Sequence, residues 1–454
     1  MAKSKSQFVC SNCGAKYSKW TGKCDNCGEW NTLVEEFVES GGSAVAKSGR
    51  RGRMLNAQTI GSITGDKLSN RMTSGIDELD TVLGGGILPG GVLLLAGQPG
   101  IGKSTLLLQV AAQIAASHPV LYASGEESAH QVKLRAERLG AHTSDALSFV
   151  ASTSADDIAT TIRSGGYDLV IIDSVQTLSL EDITSAPGSV SQITNSSNVI
   201  IRAAKESGAA VILVGHVTKE GSIAGPKVLE HLVDVVLQFE GDRYGGFKIV
   251  RALKNRYGST TEAAIFEMDE MGLRIVQNPS ASLLAERQNS DGSVVLATME
   301  GTRPLLVEIQ ALVNPTNFGY PKRTASGFDL NRLNLIIAVL ERRTKLKLSD
   351  KDIYINVVGG LKLADPAADL AVCMAIASAA AQRKLDEHTV VFGEVGLGGE
   401  IRSVSSSDRR VAEAKKLGFK NTIGPATVAR HGSKKTTITT PVRDIRQALI
   451  DYLK

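Results

Sequence analysis

The stretch Gly97-Gln98-Pro99-Gly100-Ile101-Gly102-Lys103-Ser104 constrains this chain more than any other. It fits GxxxxGK(S/T) and lies between an apolar run, Val92 to Ala96, and an apolar-periodic segment, Thr105 to Ala116. A strand, a glycine-rich turn and a helix in that order let backbone N–H groups turn inward around phosphate oxygens, and the helix N-terminus adds a favourable dipole. Lys103 brings positive charge to the β and γ phosphates, and the Ser104 hydroxyl is placed to hold magnesium. Gly97 to Thr105 is therefore the candidate set for binding a nucleoside triphosphate such as ATP with Mg2+.

Such a unit belongs in a parallel sheet covered by helices, and the surrounding pattern agrees. Val120 to Ala123 precedes a helical pattern over Ser128 to Leu139, Leu169 to Asp173 precedes one over Val190 to Lys205, and Val211 to Val214 follows. This alternation predicts an α/β fold. Val233 to Phe239, Phe247 to Leu253 and Glu262 to Met268 then read as a strand meander. After Asn278-Pro279 the pattern restarts, with strands over Val294 to Met299, Leu305 to Leu312, Ile353 to Val358 and Val390 to Glu394. Helices are expected over Leu330 to Arg343 and Ala367 to Gln382. The expected organisation is a cysteine module over 1–30, a linker over 31–59, an ATPase domain over 60–276 and a second α/β unit over 277–454.

A metal-bound triphosphate needs a second anionic ligand and a group to handle water. Asp173 ends the apolar run Leu169 to Ile172, which delivers a carboxylate at a strand's carboxyl end. Glu126 and Glu127 follow the strand Val120 to Ala123, where either could activate water, with Glu126 preferred and helix capping as the alternative. His216 stands after Val211 to Val214, where it reads equally as a phosphate sensor or as a hydrogen-bonded strand end. Beyond it, Lys219 and Lys227 lie in a polar loop suited to backbone phosphates.

Four of the five cysteines fall before residue 28. Cys10-x2-Cys13 and Cys24-x2-Cys27 are matched pairs, each followed by a glycine, and four thiolates can close on one tetrahedral Zn2+. Lys16, Lys19 and Lys23 with Trp20 make a surface for DNA or a partner, or simply a solvated face. Cys373 reads as core. The net charge is only +4, from 51 basic and 47 acidic residues, so contact with nucleic acid has to come from local patches. The longest apolar run, Leu370 to Ala381, falls short of the ~20 residues a membrane span needs. Residues 1–10 carry lysines with no apolar stretch behind them, which reads as no secretory signal and makes the cytoplasm the expected compartment.

Together with the phosphate loop and the cysteine pairs, Tyr122-Ala123-Ser124-Gly125-Glu126-Glu127-Ser128 and Lys254-Asn255-Arg256-Tyr257-Gly258 resemble the RecA superfamily of ATPases, and within it the bacterial RadA (Sms) family. That family carries KNRFG where this chain has Tyr257 in place of phenylalanine. The resemblance implies a RecA-like core working as a homo-hexamer, with Lys254 and Arg256 offered to nucleotide or DNA. It also implies a DNA-dependent ATPase of DNA repair and homologous recombination, acting by branch migration or strand-exchange extension on single-stranded or branched DNA with RecA recombinase as partner.

The last third resembles the proteolytic domain of Lon. Ala367, within Asp365-Pro366-Ala367-Ala368-Asp369, stands where that family has its nucleophilic serine, and Asp408 stands where it has its lysine. A methyl group cannot attack a carbonyl, so a scaffold without peptide hydrolysis is expected. Lys322, Arg323, Arg332, Arg342, Arg343, Lys345 and Lys347, with Phe318 and Tyr320, read as a solvated face or a DNA path. Two further classes stay open: an ATP-dependent Lon-type serine protease and a nucleotide-binding DNA adaptor without motor activity.

Overall fold

A computed structural model of the chain describes residues 5–10, 15–26, 28–38, 59, 71–141, 144–217, 223–224, 228–241, 246–316, 319–426 and 440–453. Cys13, Cys27, Lys219, Lys227, Phe318 and most of the expected linker lie outside them. Backbone contacts divide the chain into two compact units. The first takes 1–72, 87–96 and 111–234; the second takes 73–86, 97–110 and 235–454.

The first unit opens with a small sheet. Strand β1 (Lys5–Cys10) lies between β2 (Lys16–Tyr17) and β3 (Leu33–Val38), antiparallel to both. Its core is Cys10, Cys24 and Leu33, with Phe8, Ala15 and Tyr17 against them. So little apolar surface does not fold a module alone, and a metal centre is the usual supplement.

Next come α1 (Asp77–Leu83), in the second unit, and β4 (Val92–Gly97), which passes from the first unit into the second at Gly97. Helix α2 (Lys103–Ile114) follows the glycine-rich loop. The chain then alternates through β5 (Val120–Ser124), α3 (Ala129–Arg138), β6 (Leu147–Ala151), α4 (Ala155–Arg163), β7 (Leu169–Asp173), α5 (Val190–Ser207) and β8 (Ala210–Val217). In the first unit these strands lie in the order β4-β8-β7-β5-β6, and β8, β7, β5 and β6 pair in parallel. Strand β8 starts beside the start of β4, where Val211 N–H donates to the Gly91 carbonyl at 2.9 Å. Every residue of β5 and β7 is buried, as a sheet covered on both faces requires. Two short elements, β9 (Ile223–Ala224) and α6 (Val228–Leu232), close the unit.

In the second unit β10 (Val235–Gly241), β11 (Lys248–Asn255), β12 (Ala263–Asp269) and β13 (Gly272–Ile275) form the expected antiparallel meander. Further on come α7 (Pro279–Leu284), β14 (Ser293–Glu300), β15 (Arg303–Pro315), β16 (Arg323–Ser326), α8 (Leu330–Thr344), β17 (Lys351–Val357) and α9 (Ala368–Ala381). The chain ends with β18 (Thr389–Val391), β19 (Glu394–Val395), β20 (Ile401–Arg402), α10 (Ser407–Lys416), β21 (Asn421–Pro425), β22 (Thr440–Val442) and α11 (Ile445–Tyr452). The seven-stranded sheet runs β16-β17-β15-β14-β18-β21-β22. Helix α9 is buried on every side from Ala368 to Ser378, which accounts for the apolar run around Leu370. Among the described residues, no helix is long and apolar enough to cross a membrane.

Two readings of the sequence change here. The β6–α4 pair has no counterpart in the sequence pattern, because β6 is an edge strand whose residues are only half-buried and so carries a weak apolar signal. The single strand expected over Val390 to Glu394 is split in two, since β18 pairs with β14 and β21 whereas β19 pairs with β20.

Candidate functional site

The glycine-rich loop is held from within. Lys103 opens α2 at only 5% exposure, and its ammonium donates to the carbonyls of Gly97 at 3.0 Å and Gln98 at 3.1 Å. Gly100 and Gly102 have φ of +75° and +115°, left-handed values that glycine adopts without strain. Gly97 is fixed by approach instead, since a Cβ there would fall 2.6 Å from the Phe239 carbonyl oxygen. Pro99 is exposed, Ile101 is buried, and Ser104 and Thr105 are half-buried in the first turn of α2.

In the first unit the carboxylates gather at the carboxyl ends of parallel strands. Asp173 ends β7 at 5% exposure and accepts a hydrogen bond at 2.8 Å from the Tyr122 hydroxyl of β5. Burial, followed by the charge of Asp173, pushes the Tyr122 phenol well above its ordinary value, so it stays a neutral donor. A cis peptide bond joins Asp173 to Ser174. Ser174 donates through Oγ to Glu126 Oε1 at 2.5 Å, and His216 Nε2, on β8, lies 3.3 Å from the same oxygen. Glu127 is engaged differently, forked by Arg135 of α3 at 2.7 and 2.5 Å. The turn carrying both glutamates is set by Ser124, whose hydroxyl accepts from both of their backbone N–H groups. Gly125 lets the turn come close to the strand end, because a Cβ there would meet Thr177 Cβ at 2.8 Å.

The pentapeptide Lys254 to Gly258 does not simply follow a strand. Lys254 and Asn255 are the last residues of β11, and the register with β10 shifts between Val236 and Leu237. A bulge of this kind re-aims side chains. Asn255 builds the turn: its Oδ1 accepts from Tyr257 N–H at 2.8 Å and its Nδ2 donates to Val82 of α1 at 3.1 Å. Gly258 packs on Gly84, where a Cβ would come within 2.8 Å of the Gly84 Cα. Lys254 is half-buried at this platform and Arg256 is exposed.

Of the four cysteines, Cys10 and Cys24 are described and buried, and Cys13 and Cys27 lie outside the described residues. The two knuckles close alike. Cys10 N–H donates to Ala15 at 2.8 Å and Cys24 N–H to Glu29 at 2.9 Å, five residues on in each case. Gly28 takes φ +78°, the turn conformation expected after a CxxC pair. Buried thiols on matched turns fit a closed zinc site.

In the second unit the expected protease-like segment is filled with ion pairs. Ala367 is wholly buried at the start of α9. Asp365 on one side accepts from Met299 N–H and Thr298 Oγ1, both at 3.1 Å, and pairs at 2.7 Å with Arg410, itself 0% exposed. Asp369 on the other side is forked by Arg332 and accepts from Val395 N–H at 3.1 Å. Asp408 is exposed on α10. Arg332 thus leaves the proposed DNA path, because the buried charge of Asp369 holds it; Tyr320 is exposed. Cys373 is buried in α9, and that burial drives its thiol pKa far up, as a core cysteine requires.

Sequence reasoning did not single out Ser174, Arg135 or Arg410, and it quoted Tyr122 and Asn255 as motif members without a role of their own. Ser174 adjoins Asp173, which is the one signal that could have found it. The partners of Arg135 and Arg410 are set by the fold.

Fold and loop together define a P-loop α/β protein with a RecA-like parallel core and a metal-binding ribbon at its N-terminus. Family models match in three places: an AAA domain over 65–222, a rubredoxin metal binding domain over 8–35, and the ChlI subunit of Mg-chelatase over 330–428. The chain is 50% identical to the DNA repair protein RadA of Brucella abortus (strain 2308), over 92% of this chain and 91% of that protein. It is 50% identical to that of Bacillus subtilis (strain 168), over 94% and 93%, and 47% identical to that of Pseudomonas aeruginosa, over 94% of each. A crystal structure of the RadB recombinase aligns with TM-score 0.37 and 18% identity, over 45% of this chain and all of that one. The chain belongs to the RadA family of DNA repair proteins.

Proposed function

We propose that this chain is a DNA-dependent ATPase of DNA repair and homologous recombination. The observation that carries the reading is the cluster of Asp173, Ser174, Glu126 and His216 at the carboxyl ends of β7, β5 and β8, the edge where open α/β sheets bind ligands. Lys103 and the amides of Gly97 to Thr105 bind the β and γ phosphates. The Ser104 hydroxyl and the Asp173 carboxylate are each of the hard oxygen type that magnesium takes, and the ion when bound would neutralise charge on the phosphate oxygens. Glu126 takes a proton from the attacking water as the water oxygen bonds to the γ phosphorus and the bond to the leaving β-phosphate oxygen breaks. Ser174 and His216 orient that carboxylate. Glu127, forked by Arg135, stiffens the turn.

Lys254 and Arg256 act across a subunit boundary, offering cations to a neighbour's γ phosphate in a homo-hexamer; the bulged strand and the Asn255 turn that present them support this. Cys10, Cys13, Cys24 and Cys27 hold one structural zinc ion. The segments 1–30, 60–276 and 277–454 act as zinc ribbon, motor and scaffold in the cytoplasm. The buried methyl of Ala367 and the ion pairs beside it support a scaffold that cuts no peptide bond. Membership of the family supports the finer role, which is branch migration or strand-exchange extension on single-stranded or branched DNA, with RecA recombinase as partner.

The test is ATP turnover with and without single-stranded DNA. Glu126→Gln should lower DNA-stimulated kcat by about 10²-fold or more, the contribution of a positioned base. Glu127→Gln should cost only about two- to threefold. Equal rates for Glu126→Gln and the unaltered chain would overturn the proposal.

A further inference from the structure

The N-terminal module has a surface that none of these roles uses. Trp20 and Trp30 are the two tryptophans of the sequence, and they are 54% and 69% exposed, whereas tryptophan is ordinarily well buried. The fold brings them to one place. Lys23 and Trp30 form an antiparallel bridge, and Asn31 N–H donates to Gly22 at 2.8 Å. A Cβ on Gly22 would lie 3.7 Å from Trp30 Cζ3 and 3.8 Å from Trp20 Cη2, so both indoles border the same glycine.

The surroundings are polar and cationic. Lys23 Nζ sits 5.8 Å from the Trp30 ring centroid, and Ser18, Lys19, Thr21 and Lys23 are all exposed. Residues 1–30 hold five lysines against Asp25 and Glu29, so the module stays positive even when the net negative charge of a four-thiolate zinc centre is counted. A protein partner could also cover the two rings, but it would have to bring acids to the ammonium groups beside them. Unpaired nucleobases match better, because they offer π faces to the indoles while their phosphates reach the ammonium groups. In duplex DNA those faces are already stacked.

We propose that Trp20 and Trp30, on either side of Gly22, form a base-stacking platform for single-stranded nucleic acid, with Lys19 and Lys23 on its phosphates. This rests on the DNA-dependent reading above and specifies where the strand touches this module. With two tryptophans in the whole chain, indole emission reports on this module alone. Titration of the full chain with oligo(dT) of about 20 nucleotides should quench that emission by about half, and duplex DNA of equal length should quench it far less. By anisotropy of labelled oligo(dT), Trp20→Ala/Trp30→Ala should bind about thirtyfold more weakly or worse, and Trp20→Phe/Trp30→Phe, which keeps the rings, within about threefold of the unaltered chain. Binding of oligo(dT) with unchanged indole emission would sink the platform and leave the DNA-dependent reading standing. Failure of the full chain to bind oligo(dT) would sink both. Should the alanine pair disturb zinc binding, the quench in the unaltered chain and the phenylalanine pair decide.

Discussion

Asp173 in the first unit and Asp365 and Asp369 in the second are all carboxylates at the end of a strand or the start of a helix, and the two units treat them differently. Asp173 is held by the neutral hydroxyl of Tyr122. Asp365 and Asp369 are paired with the guanidinium groups of Arg410 and Arg332. A neutral donor fixes a carboxylate's direction and leaves its charge to attract a cation, whereas a guanidinium cancels that charge. Of the adjacent pair in the first unit, Glu127 is likewise forked by a guanidinium, that of Arg135, while Glu126 lies beside Ser174 and His216. On the proposed roles, the partner of an acid separates chemistry from scaffolding better than its burial does, since Asp173 and Asp369 are both buried.

The sharpest test of this contrast is exchange of the charge. Asp173→Asn keeps the size and the Tyr122 contact but removes the anion, and steady-state phosphate release should fall by about 10²- to 10³-fold. Asp365→Asn should leave turnover per folded molecule unchanged, and an equal loss in both would erase the distinction. Stability should respond in the opposite sense. Arg410→Met leaves the half-buried Asp365 carboxylate without its cation and should cost about 3 kcal/mol, read as a lower urea midpoint of the second unit. Adding Asp365→Leu should recover part of that loss, since a matched apolar pair needs no neutralisation.

A smaller effect concerns Tyr122. Its folded pKa lies above the ordinary 10.0, so in alkaline solution the unfolded chain loses the phenolic proton first. Its contribution is therefore complete below about pH 10 and declines as pH rises beyond it. Tyr122→Phe should cost about 1 kcal/mol at neutral pH and flatten the fall in stability above pH 10, measured by urea melts at several pH values. An unchanged alkaline slope would show that neither burial nor Asp173 holds the phenolic proton.

Much of the site was legible along the chain. The glycine-rich loop works through consecutive residues, so its spacing is its geometry, and the run Leu169 to Ile172 placed Asp173 at a strand end without help from the fold. The sequence preferred Glu126 to Glu127 without showing what surrounds either, and the structure gives the two neighbours different partners: Ser174 and His216 for one, Arg135 for the other. The cation pair of the pentapeptide could be read, but its support from Asn255 and Gly258 against Val82 and Gly84 could not.

By itself, then, the sequence determined the elements whose signals are local: the apolar strands, the phosphate loop and the cysteine spacing. Tertiary structure alone decided which charges are spent. Arg410 meets Asp365 and Arg332 meets Asp369 across long stretches of chain, while Trp20 and Trp30 come together around Gly22. A side chain's type fixes what it can donate or accept, but the free energy of a charge depends on its partner and its access to water, and chain folding sets both.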